Sequence, residues 1–208
     1  MKRVPYEEMV AQFARVLEKK GFLLVDSGAT YMDGTTDITR TYPLGPLTED
    51  EKRFYTWTLQ SHIDLARAVW LDYCECKMID TIAREPLWRH LINYRCGTGH
   101  SVSFVGNVHE GPHSLRGTNS VLMRPGMVVT DEPGVYETDL VGIRIENELM
   151  CVHKADNQYG TFLGFEPLMF VPIATSPILP GVLDKDEIAW LNDYHRQVFA
   201  KLAPHLNA

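Results

Sequence analysis

Apolar residues recur along this chain with two periods, and the changes of period divide it into elements. Over residues 7–20, Met9, Val10, Phe13, Val16 and Leu17 fall on one face at helical spacing, and Gly21 supplies a stop. FLLVDSG (22–28) and TTDITRTY (35–42) are rich in β-branched and aromatic residues around a glycine-containing turn, the pattern of two strands. Thr48 followed by Glu51 makes a capping box, and the helix it opens carries Tyr55, Leu59, Ile63, Ala66 and Trp70 as one apolar stripe. A second helical stretch covers 76–92, with Pro86 marking a break or a new first turn.

Residues 97–120 are rich in glycine, serine and histidine, with short strand-like pieces such as SVSFV (101–105). Strands dominate afterwards: GMVVTDEPG, VGIRIENELMCV and EPLMFVPI. Asp184 reads as the N-cap of a last helix whose face is Ile188, Leu191, Val198 and Leu202, ended by Pro204. No linker, repeat array or low-complexity tract interrupts this order, which predicts one α+β domain.

Composition narrows the classes of function. The 208 residues are 45% hydrophobic, enough for a sizeable core. A net charge of −7 without a basic run argues against nucleic acid or an anionic membrane as partner. No apolar stretch reaches the roughly 18 residues of a membrane span, and MKRVPYEEMV lacks a signal-peptide core. The four cysteines, Cys74, Cys76, Cys96 and Cys151, form no CxxC pair, so a reduced, cytoplasmic setting is expected.

The informative chemistry is a set of acids beside glycines, prolines and β-branched residues. Asp26 and Asp37 stand eleven apart across the first predicted hairpin; Glu132 and Glu146 stand fourteen apart across a second, at 127–152. His100 follows in GTGH. Four carboxylates do not converge as anions without protons or cations between them, and an oxygen-rich set with one nitrogen suits two divalent metals that share carboxylates. Each acid taken alone is an ordinary turn cap or surface charge.

The motifs DSGATYMDGTTDITRTYPLG, GTGH…NVHEGP, MVVTDEPGVYE and VGIRIENEL, with FLGFEPLMFVPI and WLNDYHRQV behind them, resemble the aminopeptidase P (Xaa-Pro aminopeptidase) branch of the pita-bread metallopeptidases. The resemblance runs from residue 22 to about 203, leaving 1–21 as a lead-in helix unlike the family and 22–208 as the C-terminal part of a catalytic domain. It implies a pita-bread (creatinase/aminopeptidase) fold lacking its N-terminal half. Asp26 would chelate one metal, Asp37 and Glu146 would bridge two, and His100 and Glu132 would complete the other. The metals, manganese by resemblance, would activate a hydroxide. Glu132 would also shuttle a proton, His109 would hydrogen-bond the substrate, and Arg144 and Tyr136 would orient carboxylates. The implied substrates are peptides with proline in the second position, cut to release the first residue. A homodimer stays open.

Departures from the family pattern bear on activity. Cys96 stands where a histidine is usual, Arg95 where glycine is, and Ser101 and Ser103 where glycines flank the metal histidine. If those glycines need positive φ, each serine costs about 1 kcal/mol or more. The alternative reading is therefore an inactive or weakly active member that serves as a binding protein. His62, His90 and His113 carry no motif and read as surface or helix-face residues. Cys96, a soft thiolate, suits a carboxylate-rich site poorly. Trp70, Trp88 and Trp190 read as anchors on helical stretches.

Overall fold

A computed structural model describes Glu7 and residues 16–206. Two strands, β1 (Phe22–Tyr31) and β2 (Gly34–Pro43), form the first hairpin, in antiparallel register with Asp26 opposite Thr39 and Gly28 opposite Asp37. Helix α1 (Glu49–Ala66) follows, opened by the predicted box: Thr48 accepts from Glu51 N at 3.2 Å and Glu51 accepts from Thr48 N at 2.7 Å. After β3 (Val69–Leu71) come α2 (Cys76–Trp88), β4 (Gly99–His100), β5 (Ser114–Leu115) and β6 (Val128–Asp131). The chain continues through β7 (Gly134–Glu137), β8 (Val141–Arg144), β9 (Asn147–Asn157), β10 (Gly160–Pro167) and α3 (Lys185–Leu202). Every strand pair is antiparallel, and the largest sheet has the order β3-β10-β9-β6.

Two apolar clusters hold the layers together. One packs Leu65, Ile79, Leu115, Met123, Leu149 and Phe165 between the large sheet and α2. The other packs Tyr55, Leu59 and Ile63 of α1 on Ile143, Ile145 and the Leu191–Val198 face of α3. Trp190 of α3 touches both, and its ring lies parallel to Tyr194 at 5.4 Å. The first helix thus serves as the shared wall that gives each hairpin a buried face. An isolated hairpin would lack one.

Several sequence expectations need correction. The stripe on α1 stops at Ala66; Trp70 belongs to β3, where it packs on Phe165 with ring centroids 4.6 Å apart. The spacing from Ala66 to Trp70 imitates a helical repeat, but Val69 and Trp70 alternate out and in as a strand does. Helix α2 ends at Trp88 rather than at 92, two residues after Pro86, which lies inside it. In 101–105 only Ser101 bridges to a strand, at Val129, while Phe104 and Val105 are exposed. In EPLMFVPI the ladder ends at Pro167, because the carbonyls of Val171 and Pro172 are taken by the buried Arg40 guanidinium. Ile188 is exposed, so the buried face of α3 starts at Glu187 and Leu191. The predicted lead-in helix 7–20 lies largely outside the described residues, and 16–20 are not helical.

The second hairpin also differs from a plain one. Residues β6 to β9 share one register, with Asp131 opposite Asn147 and Gly134 opposite Arg144, yet the ladder is interrupted between these pairs. Glu132 and Glu146 face each other in that interruption.

Candidate metal centre

The interruption exists because both glutamates give their backbone N–H groups to other elements. Glu132 N donates to Thr98 O at 2.7 Å, and Glu146 N donates to Thr39 O at 3.1 Å. The first bond imports the loop that carries His100; the second imports β2, which carries Asp37. Gly99 permits the approach, since a Cβ there would lie 1.7 Å from Thr130 O. On the β1–β2 hairpin, Asp26 and Asp37 sit on opposite strands two positions out of register and therefore on one face.

These contacts bring the acids and His100 into overlapping triads. Asp26, Asp37 and Glu146 offer ligand atoms within 4.8 Å of one another, and so do His100, Glu132 and Glu146. Asp37, His100 and His109 form a third such set. His100 Nδ1 donates to Ser101 O at 3.1 Å, which leaves Nε2 facing Glu132 Oε1 at 3.2 Å and Asp37 Oδ2 at 3.4 Å. A ring fixed by Nδ1–H presents the Nε2 lone pair to an electrophile. His109 stands edge-on to His100, with ring centroids 3.9 Å apart.

Arg144 closes the cluster from the other side. Its Nε donates to Thr39 Oγ1 at 2.9 Å and its Nη1 to Tyr136 Oη at 2.6 Å, while Nη2 pairs with Asp26. It reaches Glu132 and Glu146 only at 3.8 and 4.0 Å. One guanidinium cannot neutralise so many acids, and the electrostatics show the deficit. Burial, then the charges of Glu132 and Asp37, push Glu146 up to about 8. Burial raises Glu132 as well, against the pull of His100. Burial opposes the His100 imidazolium, but the hydrogen bond to Asp37, the Ser101 carbonyl and the Glu132 charge outweigh it and raise its pKa.

The structure therefore gathers all eight residues singled out in the sequence: Asp26, Asp37, His100, His109, Glu132, Tyr136, Arg144 and Glu146. Neither serine beside His100 adopts positive φ, so the feared backbone strain is absent at Ser101 and Ser103. Cys96 directs Sγ at Gly134 O, 3.7 Å away, and burial raises its thiol.

Sequence reasoning missed the residues that hold the acids in place. Thr39 Oγ1 donates to Glu146 Oε2 at 2.5 Å, and Thr130 Oγ1 donates to Glu132 Oε1 at 2.9 Å while accepting from His100 N. Glu148, also buried, accepts the Asp37 backbone N–H at 2.7 Å; burial pushes its carboxyl to about 7. Two-residue alternation in DIT and in TDE would have found both threonines. His62, read as a surface or helix-face residue, stands on the buried face of α1. Its Nδ1 donates to Asp131 O at 3.2 Å, with Asp131 Oδ2 3.1 Å away, and its Nε2 accepts from Asn147 Nδ2 at 3.3 Å. The ring thus spans the two residues that precede Glu132 and follow Glu146.

The donor set fits divalent metal. Glu146 Oε1 is buried without a hydrogen-bond partner among the described residues, in the position shared by two triads. Hard oxygens with one imidazole match a pair of small divalent ions better than a soft one. Fold and site together define a metallopeptidase of the pita-bread class.

Comparison with known proteins supports that class. A profile of metallopeptidase family M24 matches residues 6–153, and one of the C-terminal region of peptidase M24 matches 161–208. The chain belongs to metallopeptidase family M24. It is 44% identical to aminopeptidase P2 of Arabidopsis thaliana, covering 98% of this chain and 29% of that relative. It is 42% identical to aminopeptidase P1 of Lotus japonicus, covering 95% and 30%. Its fold superposes on the X-prolyl aminopeptidase of Caenorhabditis elegans, described as a cytosolic enzyme with a di-nuclear active site, with a TM-score of 0.82. The identity there is 40%, over 88% of this chain and 30% of the other. A prolidase from Pyrococcus furiosus matches with a TM-score of 0.61 at 28% identity, over 72% and 41%. The chain spans about 30% of the length of the curated relatives it matches. Among the described residues no helix is long and apolar enough to cross a membrane.

Proposed function

We propose that this chain carries the dinuclear metal centre of an Xaa-Pro aminopeptidase, which releases the first residue from cytosolic peptides with proline second. The observation that carries the proposal is buried Glu146, which belongs to two triads of ligand atoms and has one oxygen without a hydrogen-bond partner among the described residues. Asp26, Asp37 and Glu146 would hold one ion, and His100 and Glu132 would hold the other with Glu146 and Asp37 shared. Manganese, when bound, supplies Lewis-acid polarisation of the scissile carbonyl and acidifies water. We assign these parts to residues 22–208.

The protein's own residues supply the rest. Glu132 keeps Oε1 on Thr130, so Oε2 is the atom free to take a proton from the attacking water and hand it to the departing proline nitrogen. Burial raises this carboxyl towards the proton affinity that the transfer needs. His109, exposed beside His100, would donate a hydrogen bond to the peptide carbonyl. Arg144 and Tyr136 fix Asp26, the one acid that stands on an exposed strand.

The test is manganese-dependent release of arginine from Arg-Pro-Pro, with metal content measured on the same samples. Turnover that Glu132→Ala abolishes supports the enzyme. Equal background in both proteins refutes catalysis by this chain. Two ions per chain, falling towards one or none in Glu146→Ala, support the shared ligand, and unchanged stoichiometry refutes it.

A further inference from the structure

We propose that the cleft beside α2 is a second ligand site, one that takes a phosphate monoester carried on an apolar body. Its volume of about 1010 Å³ is ample for a small molecule. Lys77, Arg84 and Trp88 line it from one face of α2, at helical spacing. Arg95 and Arg116 line it from the segments that flank β4 and β5. These segments lie side by side because β4 and β5 pair antiparallel, with Gly99 opposite Leu115. Gly97 gives the Arg116 guanidinium room, since a Cβ there would stand 3.2 Å from Arg116 Nε. None of Asp26, Asp37, His100, Glu132 and Glu146 lines this cleft.

Charge defines the ligand. Four lining residues are basic and one, Asp80, is acidic, in a chain whose net charge is −7. Two of the cations already have partners. Arg84 Nε donates to Asp80 Oδ2 at 2.8 Å, and its Nη1 and Nη2 donate to the carbonyls of Tyr94 and Cys96 at 2.9 Å each. Lys77 Nζ pairs with Glu75 at 2.5 Å and donates to Ser120 Oγ at 3.0 Å. Arg95 and Arg116 are exposed, and neither makes a side-chain hydrogen bond or ion pair among the described residues. Neither can shed its charge, and a guanidinium fork matches oxyanions bidentately. One carboxylate, with two oxygens and one charge, suits one fork. A phosphate monoester brings three terminal oxygens and nearly two charges, which suits both. Met78 and Trp88, 49% and 43% exposed, add apolar surface to the same cleft, and Trp88 Nε1 is held by Asn93 Oδ1 at 3.1 Å. Arg95 stands where the family pattern has glycine, so this cation belongs to this chain rather than to the pattern. The inference does not rest on the metal centre.

The probe is phenyl phosphate, titrated into the full chain after metal is stripped on a chelating resin. Calorimetry gives the affinity, and NMR of the indole N–H groups gives the place. The expected result is saturable binding that moves the Trp88 signal and leaves that of buried Trp70 still. Benzoate should bind at least about tenfold more weakly, because it engages one fork instead of two. Arg95→Gln and Arg116→Gln, both at exposed positions, should each weaken phenyl phosphate by a similar factor. Trp88→Leu should weaken phenyl phosphate and leave inorganic phosphate unchanged. Arg196→Gln removes an equal charge outside the cleft and should change nothing. Absence of saturable binding, a Trp88 signal that stays still, or benzoate as tight as phenyl phosphate would each overturn the proposal. So would equal losses in Arg196→Gln and Arg95→Gln, which would reduce the effect to diffuse surface charge.

Discussion

Replacing Glu146 by glutamine should stabilise the metal-free protein, although it removes a proposed metal ligand. Glu146 is 1% exposed, and its carboxyl titrates at about 8 rather than 4.5. The folded state thus keeps a proton that the unfolded chain releases, and stability falls as pH rises from about 4.5 through about 8. At 1.36 kcal/mol per pKa unit, the cost is roughly 3 kcal/mol at pH 7 and approaches roughly 5 kcal/mol above pH 9. Glutamine is a near-isosteric copy of the protonated acid: its carbonyl can still accept from Thr39, and its amide can donate to the neighbouring carboxylates. In chelator at pH 7 the variant should melt higher by roughly 6–12 °C, using about 2–4 °C per kcal/mol for a chain of this size. At pH 4 the two proteins should nearly coincide. With manganese the order should invert, because only the native site gains binding free energy. Thermal unfolding at pH 4, 7 and 9, with and without metal, reads all of these. A variant less stable than the native protein in chelator at pH 9 would refute the argument that crowded anions destabilise the empty cage.

Two further outcomes test the supporting structure. His62→Phe keeps the ring's volume but removes the Nδ1–H donor to Asp131 O and the acceptor of Asn147 Nδ2, so urea unfolding should show a loss of about 1–3 kcal/mol, and manganese affinity should fall as Glu132 and Glu146 lose their common brace. Thr48→Ala removes the box on α1 and should cost about 1 kcal/mol in the same measurement, with metal affinity unchanged because the cap lies far along the helix from His62.

Much of this was legible in the chain, and the misses share a cause. Period-two alternation placed the first hairpin, and the Thr48/Glu51 pair placed the start of α1, because both signals are local. Local signals fail where a long-range partner decides. Trp70 leaves its helical-looking stripe because β10 offers it a strand partner, with Leu163 opposite it. His62 carries no motif, and only the fold shows that its face of α1 lies under Asp131 and Asn147. Arg40 looks like a strand's surface cation. Instead it is buried and binds Asn147 Oδ1, Tyr194 Oη and the Val171 carbonyl, a web drawn from residues more than a hundred positions away. The motif acids were found because their neighbours fix the backbone, while the threonines that position them look like ordinary strand residues.

How does a fold gather groups that repel one another? The backbone does most of it. Asp37 N bonds Glu148, His100 N bonds Thr130, Glu132 N bonds Thr98 O, and Glu146 N bonds Thr39 O. Each of these four residues is tied through its own main chain to a different element from the one it stands on. Their side chains converge because the strands beneath them are cross-linked, and the cross-links need no contribution from the side chains themselves. Substituting a ligand should therefore remove charge without dismantling the cage, which is why the glutamine variant is expected to fold and to gain stability. Asp26 is the exception. It stands on a strand that is largely exposed, with its carboxylate held by Arg144 from outside the ladder. Order at Asp26 thus depends on a side-chain pair that water can screen, whereas order at the other four does not. The ion held by the Asp26 triad should in consequence be the more weakly bound of the two, and the first to leave on chelation.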